Sequence, residues 1–316
     1  MKILVTGPAG YIGSKLVPML LNDGHDVIGF DNLTFGYHTL IPYLGKKNFK
    51  FIFGDVTKLN DHKDLFENLD GIIHLAAIVG FPACHKNPEL ANEVNLIATK
   101  NIVDKKKPET FMIYASTCSN YGHRGTNLPC DENAPLQPLT EYGVTKTESE
   151  KYVLSKKNTT ALRIATAFGM SPRLRLDLLL NNFVIKAITE KKIDIYESFH
   201  RRSFIHVHDI ARSFCFAIKN LAEMKGRAFN AGSKKLNYTK LDLAKTVKKH
   251  VECEIIEGKG SDSDQRDYVI DFSRISNLGF ECEISLDEGI SEAASSLNYL
   301  IKTGEFEKFK HFYKNI

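Results

Sequence analysis

The run Gly7-Pro8-Ala9-Gly10-Tyr11-Ile12-Gly13 follows directly on the apolar stretch Ile3-Leu4-Val5-Thr6. It opens a segment with helical spacing, in which Leu16, Val17, Leu20 and Leu21 make one stripe. Three glycines at this spacing between a strand and a helix leave few folds open. Gly7 allows a tight turn, Gly10 lets backbone approach a ligand closely, and Gly13 lets the helix pack closely on the sheet. Asn22-Asp23-Gly24 ends the helix, and the next apolar run closes at Asp31.

Short apolar runs recur at 3–6, 27–30, 51–53, 72–75, 111–115 and 161–164. Such runs suit strands covered on both faces. Helical patterns lie between several of them; Leu90, Val94, Ile97 and Ile102 line one. The alternation predicts an α/β fold built on a doubly wound parallel sheet. After about residue 165 the rhythm loosens. A helix is expected over 174–188, a short strand over 203–207, and a helix from Asp209. The expected organisation is a dinucleotide-binding domain from 1–165 and about 203–232, with a smaller α+β substrate lobe from about 166–202 and 233–316.

The charge balance narrows the function. With 42 Lys+Arg against 38 Asp+Glu over 316 residues, the excess of +4 is slight and unclustered, so nucleic-acid and membrane-surface binding are not indicated. No apolar run is long enough to cross a bilayer, and the chain enters the glycine loop with no room for a signal peptide, so a cytoplasmic protein is expected. The six cysteines form no Cys-x-x-Cys pair or zinc-like grouping, and reduced, mostly buried thiols without a metal are expected.

The glycine loop, its flanking strand and helix, and Asp31 together predict a dinucleotide site. The helix N-terminus offers N–H donors, from Tyr11, Ile12 and Gly13, and a partial positive charge to phosphates. Asp31 is placed for the adenosine ribose hydroxyls and would repel a 2′-phosphate, which favours NAD over NADP. Asp55, in Gly54-Asp55-Val56, either caps a helix or meets the adenine amino group. Leu75, Ala76 and Ala77 end the fourth run with small residues that let backbone pass near the diphosphate.

A second signal is Tyr142-Gly143-Val144-Thr145-Lys146, which puts Tyr142 and Lys146 on one helical face. A free tyrosine ionises near pH 10, and lowering that to about 7 takes roughly 4 kcal/mol. Lys146 and a bound nicotinamide cation would supply it in a low-dielectric cleft, making Tyr142 a general base for a sugar hydroxyl.

With these motifs the chain resembles the extended short-chain dehydrogenase/reductase superfamily, specifically its NAD-dependent nucleotide-sugar epimerases and dehydratases of the UDP-galactose 4-epimerase type. The resemblance extends over nearly the whole chain. It rests also on Asp31-Asn32-Leu33, His74-Leu75-Ala76-Ala77, Asn95 with Thr99, Ser116-Thr117-Cys118-Ser119-Asn120-Tyr121-Gly122, and Arg202-Ser203-Phe204-Ile205-His206-Val207-His208-Asp209. It implies a Rossmann-type sheet and tightly bound NAD, with Asn32, Val56 and Asn95 joining the cofactor site. It implies Thr117 as the residue that hydrogen-bonds the reacting hydroxyl, beside Tyr142 and Lys146.

On the substrate side the resemblance implies Arg202, Asn181 and Arg266 at the nucleotide diphosphate. The segment 77–85, with Val79, and Ser119 line the sugar, and Cys118 is either a small packing residue or a substrate neighbour. Where 4,6-dehydratases follow the Thr with Asp and Glu, this chain has Cys118 and Ser119, neither a carboxyl acid or base, so dehydration by that route is disfavoured. The family relatives also imply a homodimer that packs through two helices per subunit, one carrying Tyr142. The expected activity is NAD-dependent oxidation at C4 of a nucleotide-activated sugar, as a 4-epimerase or as a 4-dehydrogenase that releases the keto sugar. The residues serve both. A 3,5-epimerase or a non-catalytic dinucleotide sensor fits them less well.

Overall fold

The computed structural model describes residues 1–123, 129–258, 260, 266–304 and 306–307. The expected lobe boundary at 316, and Asp264 and Gln265 beside Arg266, lie outside the described residues. The strands are β1 (Lys2–Thr6), β2 (Asp26–Asp31), β3 (Phe49–Phe53), β4 (Gly71–His74), β5 (Phe111–Thr117), β6 (Thr159–Ile164), β7 (Thr166–Phe168), β8 (Lys192–Ile195), β9 (Arg201–His206), β10 (Arg227–Ala231), β11 (Asn237–Thr239) and β12 (Glu254–Glu257).

Seven of them make one parallel sheet in the order β10-β6-β5-β4-β1-β2-β3. Chain order reverses between β1 and β4, and all strand C-termini face one edge, where such sheets bind ligands. The continuous apolar runs follow from burial on both faces. In β1, Ile3 and Val5 join the core with Leu16, Val17, Leu20, Ile210 and Phe214, whereas Leu4 joins Ile102, Val103 and Val153 on the other face. This is the doubly wound Rossmann-type architecture that the sequence predicts.

The second lobe has its own core, in which Leu180, Val184 and Ile188 meet Leu243, Val247, Ile290 and Leu297. Its three-stranded sheet runs β11-β9-β7, and β8 pairs with β12. The strand expected over 203–207 is β9, and it belongs to this small sheet. The chain rejoins the main sheet with the helix Val207–Lys219 and β10.

Two expectations are corrected. The helix expected over 174–188 begins only at Leu179. The stripe Leu90-Val94-Ile97-Ile102 is not the buried face, because Leu90 and Ile97 are exposed. A π-helical turn, Glu93–Ile97, interrupts the α-helical pattern and turns Ala91, Asn95, Ala98 and Ile102 inward. All six cysteines are free thiols, and five are buried. No helix among the described residues is long and apolar enough to cross a membrane.

Candidate active site

The glycine loop leaves β1 with Gly7 at φ +73° and its N–H on the Phe30 carbonyl. A Cβ on Gly7 would stand 2.9 Å from the Ala76 nitrogen, and one on Gly13 would stand 2.2 Å from the Gly7 carbonyl oxygen. The helix Gly13–Asn22 starts with no side chain capping it. A bare backbone cradle at an uncapped helix N-terminus fits a pyrophosphate. Asp31, at the end of β2, accepts the N–H groups of Ala9 and Leu33 at 3.1 and 2.8 Å, which braces the loop and leaves lone pairs for ribose hydroxyls.

Several expected cofactor residues carry structural duties visible only in three dimensions. Tyr11 donates its phenol to the Gly169 carbonyl at 2.8 Å and so ties the loop to the second lobe. Asp55 caps the turn Val56–Asp61 through the Thr57 N–H and accepts the Asn32 amide at 2.9 Å. The capping alternative is therefore the one observed. Val56 is in the core, and Ile12 packs against the core. Asn95 is 1% exposed, and its amide grips both the N–H and the carbonyl of Ile78, at 2.8 and 2.9 Å. It shapes the loop after Ala77 rather than opening into the cleft.

Beneath that loop runs a buried chain from Thr6 through His74 and Thr99 to the Asn95 carbonyl, with contacts of 2.6, 2.9 and 2.6 Å. The Thr6 hydroxyl also takes the Leu75 and Ala76 N–H groups. Burial, with Lys146 nearby, lowers the pKa of His74 from 6.5 to about 3. The unfolded chain therefore binds a proton below pH 6.5 that the native state refuses until about pH 3. Stability should fall as pH drops below 6.5, by about 2 kcal/mol at pH 5 from this group. Urea unfolding at pH 7 and pH 5 checks this: His74→Gln should lose less stability between the two than the parent, and an equal loss would refute the assignment.

The helix Glu141–Leu154, which carries Tyr142 and Lys146, is capped by the Thr140 hydroxyl on the Gly143 N–H. Gly143 is needed because a Cβ there would lie 2.9 Å from Pro138. Thr117 is the last residue of β5, and its hydroxyl favours ionisation of Tyr142, yet burial dominates and pushes the phenol up to about 12. Arg175 and Arg266 are the cations that pull it down. Lys146 is 3% exposed, with its ammonium 4.1 Å from the centre of the Tyr114 ring. Burial drives its pKa down to about 7, with Glu150 opposing. The protein's own groups thus leave Tyr142 a neutral phenol, with Lys146 one helical turn along the same helix.

Behind Thr117, Arg163 and Glu150 form a buried ion pair at 2.6 Å that also holds Ser116 and Tyr121. Cys118 belongs to this interior. It is fully buried, gives its thiol to the Arg163 carbonyl at 3.1 Å, and burial raises its pKa. Of the two readings of Cys118, packing residue or substrate neighbour, the packing role is the one this burial fits. Ser119 faces the other way, receives the Thr117 hydroxyl at 3.0 Å and is bonded by the Arg266 guanidinium. Arg266 is thereby brought to the end of β5.

Asn181 is also redirected. Its amide accepts the Gly169 N–H at 2.9 Å and donates to the Arg175 carbonyl at 2.8 Å, so it fixes the segment crossing between lobes. Arg202 is 2% exposed and donates to the Arg201 carbonyl, while Arg201 pairs with Asp267. Val79 is half-buried beside Gly80, whose φ is +94°. Arg173 is buried and stacks on Phe35 at 3.9 Å, and Arg175 pairs with Asp177, so neither is a solvated surface charge. The sequence carried no signal that singled out Arg175.

A putative UDP-glucose 4-epimerase of Methanocaldococcus jannaschii is 28% identical over 93% of this chain and 97% of its own. The CDP-paratose 2-epimerase of Salmonella typhi is 27% identical over 92% and 98%. The structure of UDP-glucuronic acid 4-epimerase from Bacillus cereus, in complex with UDP-glucuronic acid and NAD, superposes with a TM-score of 0.84 at 26% identity, covering 95% of this chain and all of that one. The model of the NAD dependent epimerase/dehydratase family matches residues 3–232, and the chain belongs to that family.

Proposed function

We propose that this protein is an NAD-dependent nucleotide-sugar 4-epimerase. The observation that carries the reading is that Thr117, which ends β5, and the helix Glu141–Leu154 with Tyr142 and Lys146 one turn apart accompany the glycine cradle, with hydroxyl-bearing Ser119 where a dehydratase places a carboxyl group. The cradle of Gly7, Gly10 and Gly13 would hold the NAD pyrophosphate, Asp31 the adenosine ribose, and Lys146 the nicotinamide ribose. When bound, NAD supplies a hydride acceptor and a positive charge on its nicotinamide. Thr117 orients the C4 hydroxyl and Tyr142 takes its proton. Arg202 and Arg266 bind the diphosphate. In the second half-reaction Tyr142 returns the proton to the C4 oxygen of the turned keto sugar.

The relatives' names support nucleotide sugars as the substrate class. A homodimer through the flanking helices is part of the same reading, supported by the exposed apolar side chains of Leu90, Ile97 and Val144.

The test is incubation with a panel of UDP-, CDP-, GDP- and dTDP-sugars, followed by chromatography and mass spectrometry. An isomer of unchanged mass is expected. Loss of two hydrogens would replace the epimerase by a 4-dehydrogenase, and loss of water would refute the argument from Cys118 and Ser119.

A further inference from the structure

Contacts along the segment 169–173 join the second lobe to the cofactor side of the cleft. The Gly169 carbonyl takes the Tyr11 phenol at 2.8 Å. The Ser171 hydroxyl donates to the Tyr11 carbonyl at 2.7 Å and lies 2.8 Å from the Ser14 hydroxyl. The Arg173 guanidinium stacks on the Phe35 ring, 3.9 Å from its centre. Tyr11 belongs to the glycine loop, and Ser14 to the first turn of the helix Gly13–Asn22. Phe35 lies in the loop after β2, beyond Asp31. The segment therefore grips both the wall that would hold the NAD pyrophosphate and the wall that would hold the adenosine ribose.

The segment is itself held. At one end the Asn181 amide accepts the Gly169 N–H at 2.9 Å, and at the other it donates to the Arg175 carbonyl at 2.8 Å. Gly169 has φ +99°, and a Cβ there would stand 1.9 Å from the His206 ring. Arg173 is 2% exposed, and a buried guanidinium is costly unless other groups offset the lost water. An aromatic face within about 6 Å does so in part. Phe35 is half-buried, and its loop is tied back to the glycine loop by the Thr39 hydroxyl on the Ala9 carbonyl at 3.2 Å.

We propose that residues 169–173 are a strap that locks NAD into this chain, with Arg173 on Phe35 as its clasp. For the cofactor to leave, the glycine loop and the loop beyond Asp31 must part, and the strap holds both. Retention of the cofactor between turnovers is what the 4-epimerase reading requires, whereas a dehydrogenase that releases its keto sugar must exchange NADH at every turnover. The strap rests on NAD lying in the glycine cradle and not on which sugar is converted.

The test is the exchange of bound NAD. Protein loaded with NAD radiolabelled in its adenine is chased with excess unlabelled NAD, and the label left on the protein is followed in time. Arg173→Met, which keeps the length and loses the charge, should speed the loss about thirtyfold, the size of a desolvated cation–π contact. Phe35→Leu should do the same, and the double variant should add little to either, as two partners of one contact do. Arg173→Lys should restore part of the retention. Label lost equally fast from the parent and both single variants would overturn the proposal. So would effects that multiply in the double variant, because the two side chains would then act separately. If Arg173→Met fails to fold, Phe35→Leu and Ser171→Ala, which loosens the other end of the strap, carry the test. The chase uses no sugar. A protein that retains its label yet isomerises no nucleotide sugar would remove the 4-epimerase reading and leave the strap standing.

Discussion

Tyr142→Phe should lose about three orders of magnitude in turnover while the protein stays folded and keeps NAD. The change removes one oxygen atom. The ring keeps its place on the helix Glu141–Leu154, and the glycine cradle is untouched. Only the proton acceptor is gone, and no other group that the structure brings to Tyr142 can replace it. Cys84 is held on the Ile78 carbonyl with its thiol pushed up to about 11, and the Lys146 nitrogen sits over the Tyr114 ring. Turnover by Tyr142→Phe within tenfold of the parent would remove Tyr142 from the mechanism. The NAD content of the purified variant, read after denaturation, separates lost chemistry from lost cofactor.

Gly13→Ala should be the most damaging single methyl group in the cofactor site. The added carbon would sit 2.2 Å from the Gly7 carbonyl oxygen and 2.7 Å from the Pro8 Cα. Both are backbone atoms, so no side chain can swing away. The loop must shift, and with it the N–H groups that form the cradle. We expect a destabilisation of about 3 kcal/mol, in the range of overpacked cores, and loss of NAD on purification. Gly24→Ala is the control. Gly24 has φ +79° but nothing within 4 Å of its Cβ, so it should cost about 1 kcal/mol and leave NAD binding intact. Equal NAD content in the two variants would refute the cradle.

Much of this was legible in the sequence because its signals are local. Gly7, Gly10 and Gly13 carry their spacing with them, and Tyr142 and Lys146 are one helical turn apart. β10 was not legible. Its run Ala228-Phe229-Asn230-Ala231 is interrupted by a polar residue, and only the fold supplies Asn230 with partners, the Tyr121 phenol and the Cys130 and Asp271 carbonyls. The duties of Asn95 and Asn181 were hidden for the same reason. An amide that looks ready for a ligand is engaged with backbone 17 residues away in one case and 12 in the other. Cys118 shows the limit of reading a side chain's direction from its neighbours. It stands between Thr117 and Ser119, yet the turn Cys118–Tyr121 sends its thiol into the core.

The central claim, that one C4 hydride leaves and returns within a single bound sugar, is tested most directly with a nucleotide sugar that the enzyme converts, deuterated at C4. The account predicts an isomeric product of unchanged mass that retains deuterium at C4, with no net NADH. Deuterium recovered in free NADH, or an isomer in which C4 has exchanged with solvent, would contradict it.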